Sequence, residues 1–537
     1  MATAEGSAPA LHETVVAERV LRGSARAEFV VRTAIAVAAM LVVAWRWLTL
    51  PGALAYPAVY LLASALLAFH AASWFARWLG LDAMRRPRPM APEPGLRVGV
   101  ATSFVPAAES LDMLERTVRA LVAMDYPHET WVLDEGDDPA VRALCEQLGA
   151  HHFSRKEMPQ YQEESGTFQR HSKHGNYNAW LAEIGYARYD VISAFDADHV
   201  PERDFLTHVL GYFRDPAIGY VQAPQVYYNQ DASFIARGAA EETYAYYSTH
   251  QMASYGLGQP IIVGSHNTHR VEALRSVGGF AAHDADDLLI TLYYRARGWK
   301  GVYVPEILAM GLTPVDWHGY LRQQVRWARS VVDIKLRALP GMSRRLPIVE
   351  RLLGLLHGAF YLRALTIPAA YAIVAYLAIV DGDPAIARPS TVAWLLGLAL
   401  VLTLVGRFRQ RYFLDPAREG GVHWRSLFLQ LAKWPFFGLA LWRALVGRQG
   451  TYTLTWKRHR PDRQPTLMWP HWLVAILMAE AWLVGRVVNG GVPRMVTLAT
   501  AAIILLSAII GWTERWHFPH PYEASWYPER RAEMGGE

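Results

Sequence analysis

The run Val191-Ile192-Ser193-Ala194-Phe195 leads directly into Asp196-Ala197-Asp198, so a strand-type apolar stretch ends in two carboxylates one residue apart. Carboxylates are hard oxygen ligands, and the carboxyl edge of an α/β sheet is where such folds hold a divalent cation with its phosphates. Asp-x-Asp also occurs at Asp284-Ala285-Asp286 and Asp381-Gly382-Asp383, but only the first copy follows a buried-strand run. A second strand-type run, Trp131-Val132-Leu133, ends in Asp134-Glu135-Gly136, a place to hold a ribose or base, or simply an acidic turn with a capping Asp. Asp286 and Asp287 open a helical stretch, where carboxylates serve either as caps favourable to the dipole or as catalytic groups. Lys173-His174-Gly175-Asn176-Tyr177-Asn178 offers a cation and amides suited to phosphate. Gln323-Gln324-Val325-Arg326-Trp327 puts a polar donor, a cation and a large aromatic face within five residues. Arg326 could neutralise a diphosphate and Trp327 could stack on a sugar, or the segment is an amphipathic interfacial helix.

Short apolar runs at Arg97 to Thr102, Thr130 to Leu133, Val191 to Phe195, Gly219 to Val221, Pro260 to Gly264 and Gly301 to Val304 are predicted strands. They alternate with helical stretches such as Ser110 to Met124, which predicts a mostly parallel, helix-covered Rossmann-like sheet between residues 96 and 338. On either side the chain turns apolar. A transmembrane hairpin is predicted in residues 1–95, near Phe29 to Leu50 and Tyr56 to Leu79, with lengths of about 20 residues as a bilayer requires. Residues 339–515 carry about four more spans, near Leu352 to Val380, Val392 to Val405, Trp469 to Val488 and Met495 to Trp512. Ser426 to Val446 is broken by Lys433, Pro435 and Arg443 and reads as interfacial. Residues 516–537 are a short tail.

At 537 residues, 52% hydrophobic and 19% charged, the chain divides between membrane and globular parts. Its net charge of +5 gathers beside the apolar segments, which argues against nucleic-acid binding. Arg85 to Arg88, Arg407, Arg409, Arg411, Lys457, Arg458, Arg460 and Arg463 fall on one side, and mainly Arg388 and Arg494 on the other, so the globular insert is expected in the cytoplasm. Cys145 is the only cysteine, which excludes an intramolecular disulfide. Within the spans, Glu480 and Arg363 are expected to face a polar passage or a partner, because a carboxylate at mid-span costs about 2.5–3.5 kcal/mol in lipid.

Together these segments resemble the membrane-embedded family 2 glycosyltransferases, the group of bacterial cellulose synthase catalytic subunits, hyaluronan synthases and chitin synthases. Phe195 to Pro201 looks like the metal and nucleotide motif, Ala285-Asp286-Asp287 like Thr-Glu-Asp, and Gln323, Arg326 and Trp327 match Gln-x-x-Arg-Trp. Tyr452 to Lys457 resembles the cellulose synthase gating loop. The resemblance implies a GT-A domain inserted in a transmembrane bundle. It implies Mg²⁺ or Mn²⁺ at Asp196 and Asp198, nucleotide-sugar contacts from Asp134, Lys173, Gln323, Arg326, Thr455 and Lys457, an acceptor site at Trp327 and Asp286, and Asp287 as general base. Three departures stand out: Ser103 to Pro106 in place of Tyr-Asn-Glu, Asp134-Glu135 in place of Asp-Asp, and Asp286 in place of Glu. The tail after Trp512 is too short for a PilZ domain, so cyclic-di-GMP control through this chain is not expected.

The activity so implied is inverting, metal-dependent transfer from a nucleotide sugar, taken as a UDP sugar, to a growing β-linked polysaccharide, with translocation and accessory export subunits as possible partners. The acceptor could instead be a lipid receiving one sugar, and a non-catalytic transporter is the reading from another class. The transporter accounts for neither Asp287 nor the Gln323 to Trp327 block.

Overall fold

The computed structural model describes residues 13–106, 108–382, 384–447 and 466–513. Helices α1 (Gly23–Leu48) and α2 (Pro57–Leu79) form the hairpin. Beyond them seven strands build the central sheet: β1 (Val98–Phe104), β2 (Glu129–Asp134), β3 (His151–Phe153), β4 (Val191–Asp196), β5 (Ile218–Gln222), β6 (Asn267–Arg270) and β7 (Lys300–Tyr303). Their spatial order is β7-β5-β6-β4-β1-β2-β3, with β6 antiparallel to both neighbours and every other pairing parallel. This is the expected mostly parallel, Rossmann-like GT-A sheet, covered on both faces. In the central strand β1 every residue but Ser103 is buried. Pairing of Ser103 with Asp196 and of Phe104 with Asp134 brings both strand-end carboxylates to one edge, on either side of β1.

The helices that matter for the site are α3 (Leu111–Val122), α4 (Lys173–Trp180), α5 (Phe234–Ala245), α6 (Asp286–Ala296) and α7 (Trp317–Asp333). Ser110 caps α3, its hydroxyl accepting from the Met113 amide. The hydroxyl of Thr117 on the same helix donates to the Ala197 carbonyl at 2.7 Å, which fixes the turn between Asp196 and Asp198.

One predicted strand is absent. Pro260 to Gly264 is irregular, because side chains from elsewhere take its backbone groups. Gln251 bonds both the amide and the carbonyl of Ile261, the Ile262 amide donates to Thr291 and the Val263 amide to Gln222. The place in the sheet is filled by β6, whose Asn267, Thr268 and His269 are buried.

Among the described residues, six helices are long and apolar enough to cross a membrane: Gly23–Leu48, Pro57–Ala83, Ile348–Ile379, Pro389–Tyr412, Trp469–Val488 and Arg494–Trp512. The third contains α8 (Arg363–Ile379). The Ser426 to Val446 region is two helices, α9 (Trp424–Ala432) and α10 (Trp434–Val446), breaking at Lys433; the second, with 13 residues, is too short to span. Lys433 is 3% exposed and locks the membrane-proximal helices to the globular domain. Its ammonium reaches both oxygens of Glu242 on α5 at 2.8 and 2.7 Å, and Tyr320 and Gln324 on α7 at 3.0 Å each. The adjacent Glu241 accepts from Arg425 and from the Ser426 amide of α9.

Candidate active site

Asp196 ends β4, and its amide donates to the Ser265 hydroxyl at 3.0 Å. Lys173, at the start of α4, donates to Asp196 Oδ1 at 2.5 Å and to the Gly264 carbonyl. Burial disfavours the ammonium, but the Asp196 and Asp286 carboxylates outweigh it and hold the Lys173 pKa above its ordinary value, so the cation is permanent. Only Lys173 of its motif serves the site. Asn176 donates to the Leu133 carbonyl, and Asn178 to those of Thr167 and Phe280, so the two amides brace the scaffold and are not presented to a phosphate.

Asp286 and Asp287 open α6 and line a small pocket together with Lys173, Ala194, Ile262, Gly264 and Asn267. Gly264 lies close enough that a Cβ there would meet Asp287 Oδ2 at 3.8 Å. Burial first, and then the Asp286 carboxylate, push the Asp287 pKa up to about 7, while Lys173 and Arg326 act in the opposite direction. A carboxyl poised at neutrality beside two cations is equipped to take a proton.

Helix α7 docks on the loop before α6. Arg329 pairs with Asp284, and Asp333 with His283 at 3.3 Å. Gln323, Arg326 and Trp327 are partly exposed and share one helical face, whereas Gln324 is buried against Lys433. The electrostatic influence of Arg326 on Asp287 joins this helix to the cleft.

Asp196, Asp198 and His199 place one ligand atom each within 4.8 Å of the others. Two hard carboxylates suit Mg²⁺ or Mn²⁺. Sequence reasoning gave His199 no role, although it directly follows the Asp-x-Asp. Its Nδ1 lies 3.0 Å from Asp198 Oδ1 and its Nε2 2.9 Å from the Gln225 amide nitrogen, so with Gln225 donating, the ring N–H points at Asp198 and orients it. The Leu312 amide donates to the other Asp198 oxygen at 3.3 Å.

Asp134 is 0% exposed, its carboxylate accepting from the Gly136 and Asp138 amides and lying 3.2 Å from His152. Glu135 pairs with buried Arg155. These two acids therefore order the loop after β2. Glu480 is exposed and has no hydrogen-bond or ion-pair partner among the described residues, so nothing connects it to the cleft; Arg363 donates to Gln430 on α9. Thr455 and Lys457, with the rest of the gating-loop resemblance, lie outside the described residues.

The match to known proteins covers the same region. The profile described as Glycosyltransferase like family 2 matches residues 99–330. The UDP-forming cellulose synthase catalytic subunit of Xanthomonas axonopodis pv. citri is 27% identical over 277 residues, 50% of this chain and 36% of that one. Cellulose synthase 1 of Komagataeibacter xylinus is 30% identical over 278 residues, 50% of this chain and 17% of the relative. The alignments thus span well under half the length of these relatives. Among solved structures, the mannosyltransferase PcManGT from Pyrobaculum calidifontis, in complex with GDP-Man and Mn2+, superposes with a TM-score of 0.50 at 20% identity, over 73% of this chain and 100% of that one, a likeness of fold. The domain at residues 99–330, with its GT-A sheet and its acid-lined cleft, is thus similar to the family 2 glycosyltransferases.

Proposed function

We propose that this protein transfers a sugar from a uridine diphosphate sugar to a growing β-linked polysaccharide, with inversion at the anomeric carbon, and passes the product across the membrane. The observation that carries the reading is the meeting, in one cleft, of Lys173, bonded to the strand-end Asp196, with the neutral-range carboxyl of Asp287. A divalent cation held by Asp196 and Asp198 would neutralise charge developing on the departing diphosphate. Lys173 adds a permanent positive charge on the same side, and Arg326 a second. Asp287 takes the proton from the acceptor hydroxyl as that oxygen attacks the face opposite the diphosphate, so an α-linked donor gives a β-linkage. Trp327 offers an apolar face for the acceptor's terminal sugar, with Asp286 beside it and Gln323 supporting the diphosphate. Asp134 acts at the nucleotide's base end through the loop it orders, and Thr455 and Lys457, outside the described residues, are further candidates for nucleotide contact.

The basic flanks Arg85 to Arg88 and Arg407 to Arg411 support a cytoplasmic catalytic domain in a bacterial-type cell membrane. The test offers the purified full chain, in lipid, a panel of nucleotide sugars with Mn²⁺ or Mg²⁺, and measures diphosphate release and glycan size. Long products support the polymer reading, a single added sugar on lipid replaces it, and nucleotide-sugar binding without release overturns transfer altogether. Chelation with EDTA is expected to abolish release, and Mn²⁺ or Mg²⁺ to restore it; turnover unaffected by thorough chelation would remove the cation from Asp196 and Asp198.

The pH dependence follows from Asp287. The base must be ionised, so kcat/KM is expected to rise through about pH 7 and then level. Asp286→Asn removes one of the two causes of the raised pKa, and the acidic limb should shift to lower pH. An unmoved limb would mean that another group sets it.

A further inference from the structure

Three arginines converge where the membrane helices meet the globular domain. Arg77 lies in the last turns of α2, Arg363 opens α8, and Arg409 lies in the 3-10 turn Arg407–Tyr412 that ends the fourth candidate span. Helices α2 and α8 run antiparallel and are joined at their far ends, where Val59 packs against Leu377 and Ala378 and the Tyr56 hydroxyl donates to the Asp381 carbonyl at 2.8 Å. At their near ends they face each other with charge: Arg363 lies within electrostatic reach of Arg77, as does Arg409, and His70 feels both Arg363 and Arg77. Arg77, His70 and the nearby His250 are exposed, so a ligand can reach them. The 407–412 turn packs against residues 246–250, which places Arg409 beside the His250 segment.

The charge there is uncompensated. Among the described residues no carboxylate lies within 4 Å of Arg77, Arg363 or Arg409, whereas Arg411, two positions from Arg409, is paired with Glu28 at 2.6 Å. The acid that Arg363 does feel, Glu242, is already bonded to Lys433 and Tyr320. Guanidinium groups stay charged at any physiological pH, and three of them facing one another at the edge of lipid repel unless an anion sits between them. Planar N–H forks match the oxygens of a phosphate. Arg77 and Arg409 lie near the ends of candidate membrane spans and Arg363 opens α8, and basic groups at the ends of such helices are suited to anionic lipid headgroups.

We propose that Arg77, Arg363 and Arg409 bind the phosphate headgroup of a membrane lipid where the near ends of α2 and α8 meet the 407–412 turn. The site leads toward the catalytic cleft: His250 stacks on Tyr246 with ring centroids 5.2 Å apart, and Tyr246 feels the Asp287 carboxylate. The binding does not depend on which sugar is transferred, and its test reads no turnover, so its failure is distinct from failure of the proposed function.

The full chain is placed in phosphatidylcholine nanodiscs with and without a minor fraction of phosphatidate, and the lipid retained on the released protein is counted by native mass spectrometry. Wild type is expected to retain phosphatidate over phosphatidylcholine and to melt at higher temperature in its presence. The single variants Arg77→Gln, Arg363→Gln and Arg409→Gln should each weaken that preference, and the triple variant should lose it by tenfold or more; Arg88→Gln, whose residue pairs with Glu18 on the surface, should leave it unchanged. Equal phosphatidate retention by wild type and the triple variant, with both folded by their melting curves, overturns the site. Inorganic phosphate is the second arm: if it alone stabilises wild type in pure phosphatidylcholine as strongly as phosphatidate does, and the triple variant loses that effect, the lipid source is overturned in favour of free phosphate.

Discussion

Asp287→Asn is expected to lower kcat by about 10²–10⁴-fold, the range a positioned general base supplies, equivalent to roughly 3–5 kcal/mol on the barrier. Nucleotide-sugar affinity should stay near wild type, since Asn keeps the volume and Lys173, Asp196 and Asp198 are untouched. The stability change should have the opposite sign from the activity change. The folded-state pKa of Asp287 is raised to about 7, so the native chain holds this proton more tightly than the unfolded chain does. The stability linked to it is fully present below the ordinary carboxylate pKa and is lost as pH rises through about 7. At pH 8 the ionised carboxylate is therefore a burden that Asn removes, and the variant should melt no lower than wild type. Turnover near the wild-type rate would take Asp287 out of the base role, and lost nucleotide binding would make it a structural residue.

Lys433→Met carries the second large effect. The substitution leaves Glu242, whose side chain is only 11% exposed, with its principal cation gone, and breaking a buried pair from one side costs up to about 3–5 kcal/mol. Because Lys433 bonds Tyr320 and Gln324 as well, the loss falls on α7, the helix carrying Gln323, Arg326 and Trp327. A lower melting temperature and a raised acceptor KM are both expected, with donor binding less affected. Glu242→Gln in the same chain as Lys433→Met should recover most of the stability, since the stranded charge is then absent. A double variant as unstable as the single one would show that packing around Lys433, and not its ion pair, joins the helices to the domain.

The sheet and much of the cleft were legible because strong local signals coincide with them. The apolar run ending at Asp196 is β4, the acids at 286 and 287 do open a helix, and the six span-length segments are helices. The failures have one physical root: polarity and partnership are set by residues distant in the chain. Pro260 to Gly264 has the composition of a buried strand, but Gln222, Gln251 and Thr291 satisfy its backbone groups instead of neighbouring strands. Asn267–Arg270 looks too polar for a core strand, yet Thr268 meets the Ser193 hydroxyl at 2.9 Å and His269 lies between the Tyr294 hydroxyl and the Asn267 side chain. Lys433 reads as an interruption in an interfacial helix because its counter-ion, Glu242, is 191 positions away.

The interleaving of the cleft has a consequence for biosynthesis. Lys173 and Asp196 are translated early, whereas Gly264, whose carbonyl Lys173 meets, and the proposed base Asp287 come much later. At about 5–20 residues per second, a ribosome spends some seconds between the two halves. On the proposed mechanism, a nascent polypeptide halted in that interval has the cation for the diphosphate side but nothing to deprotonate a sugar, so an incomplete translation product would be chemically silent.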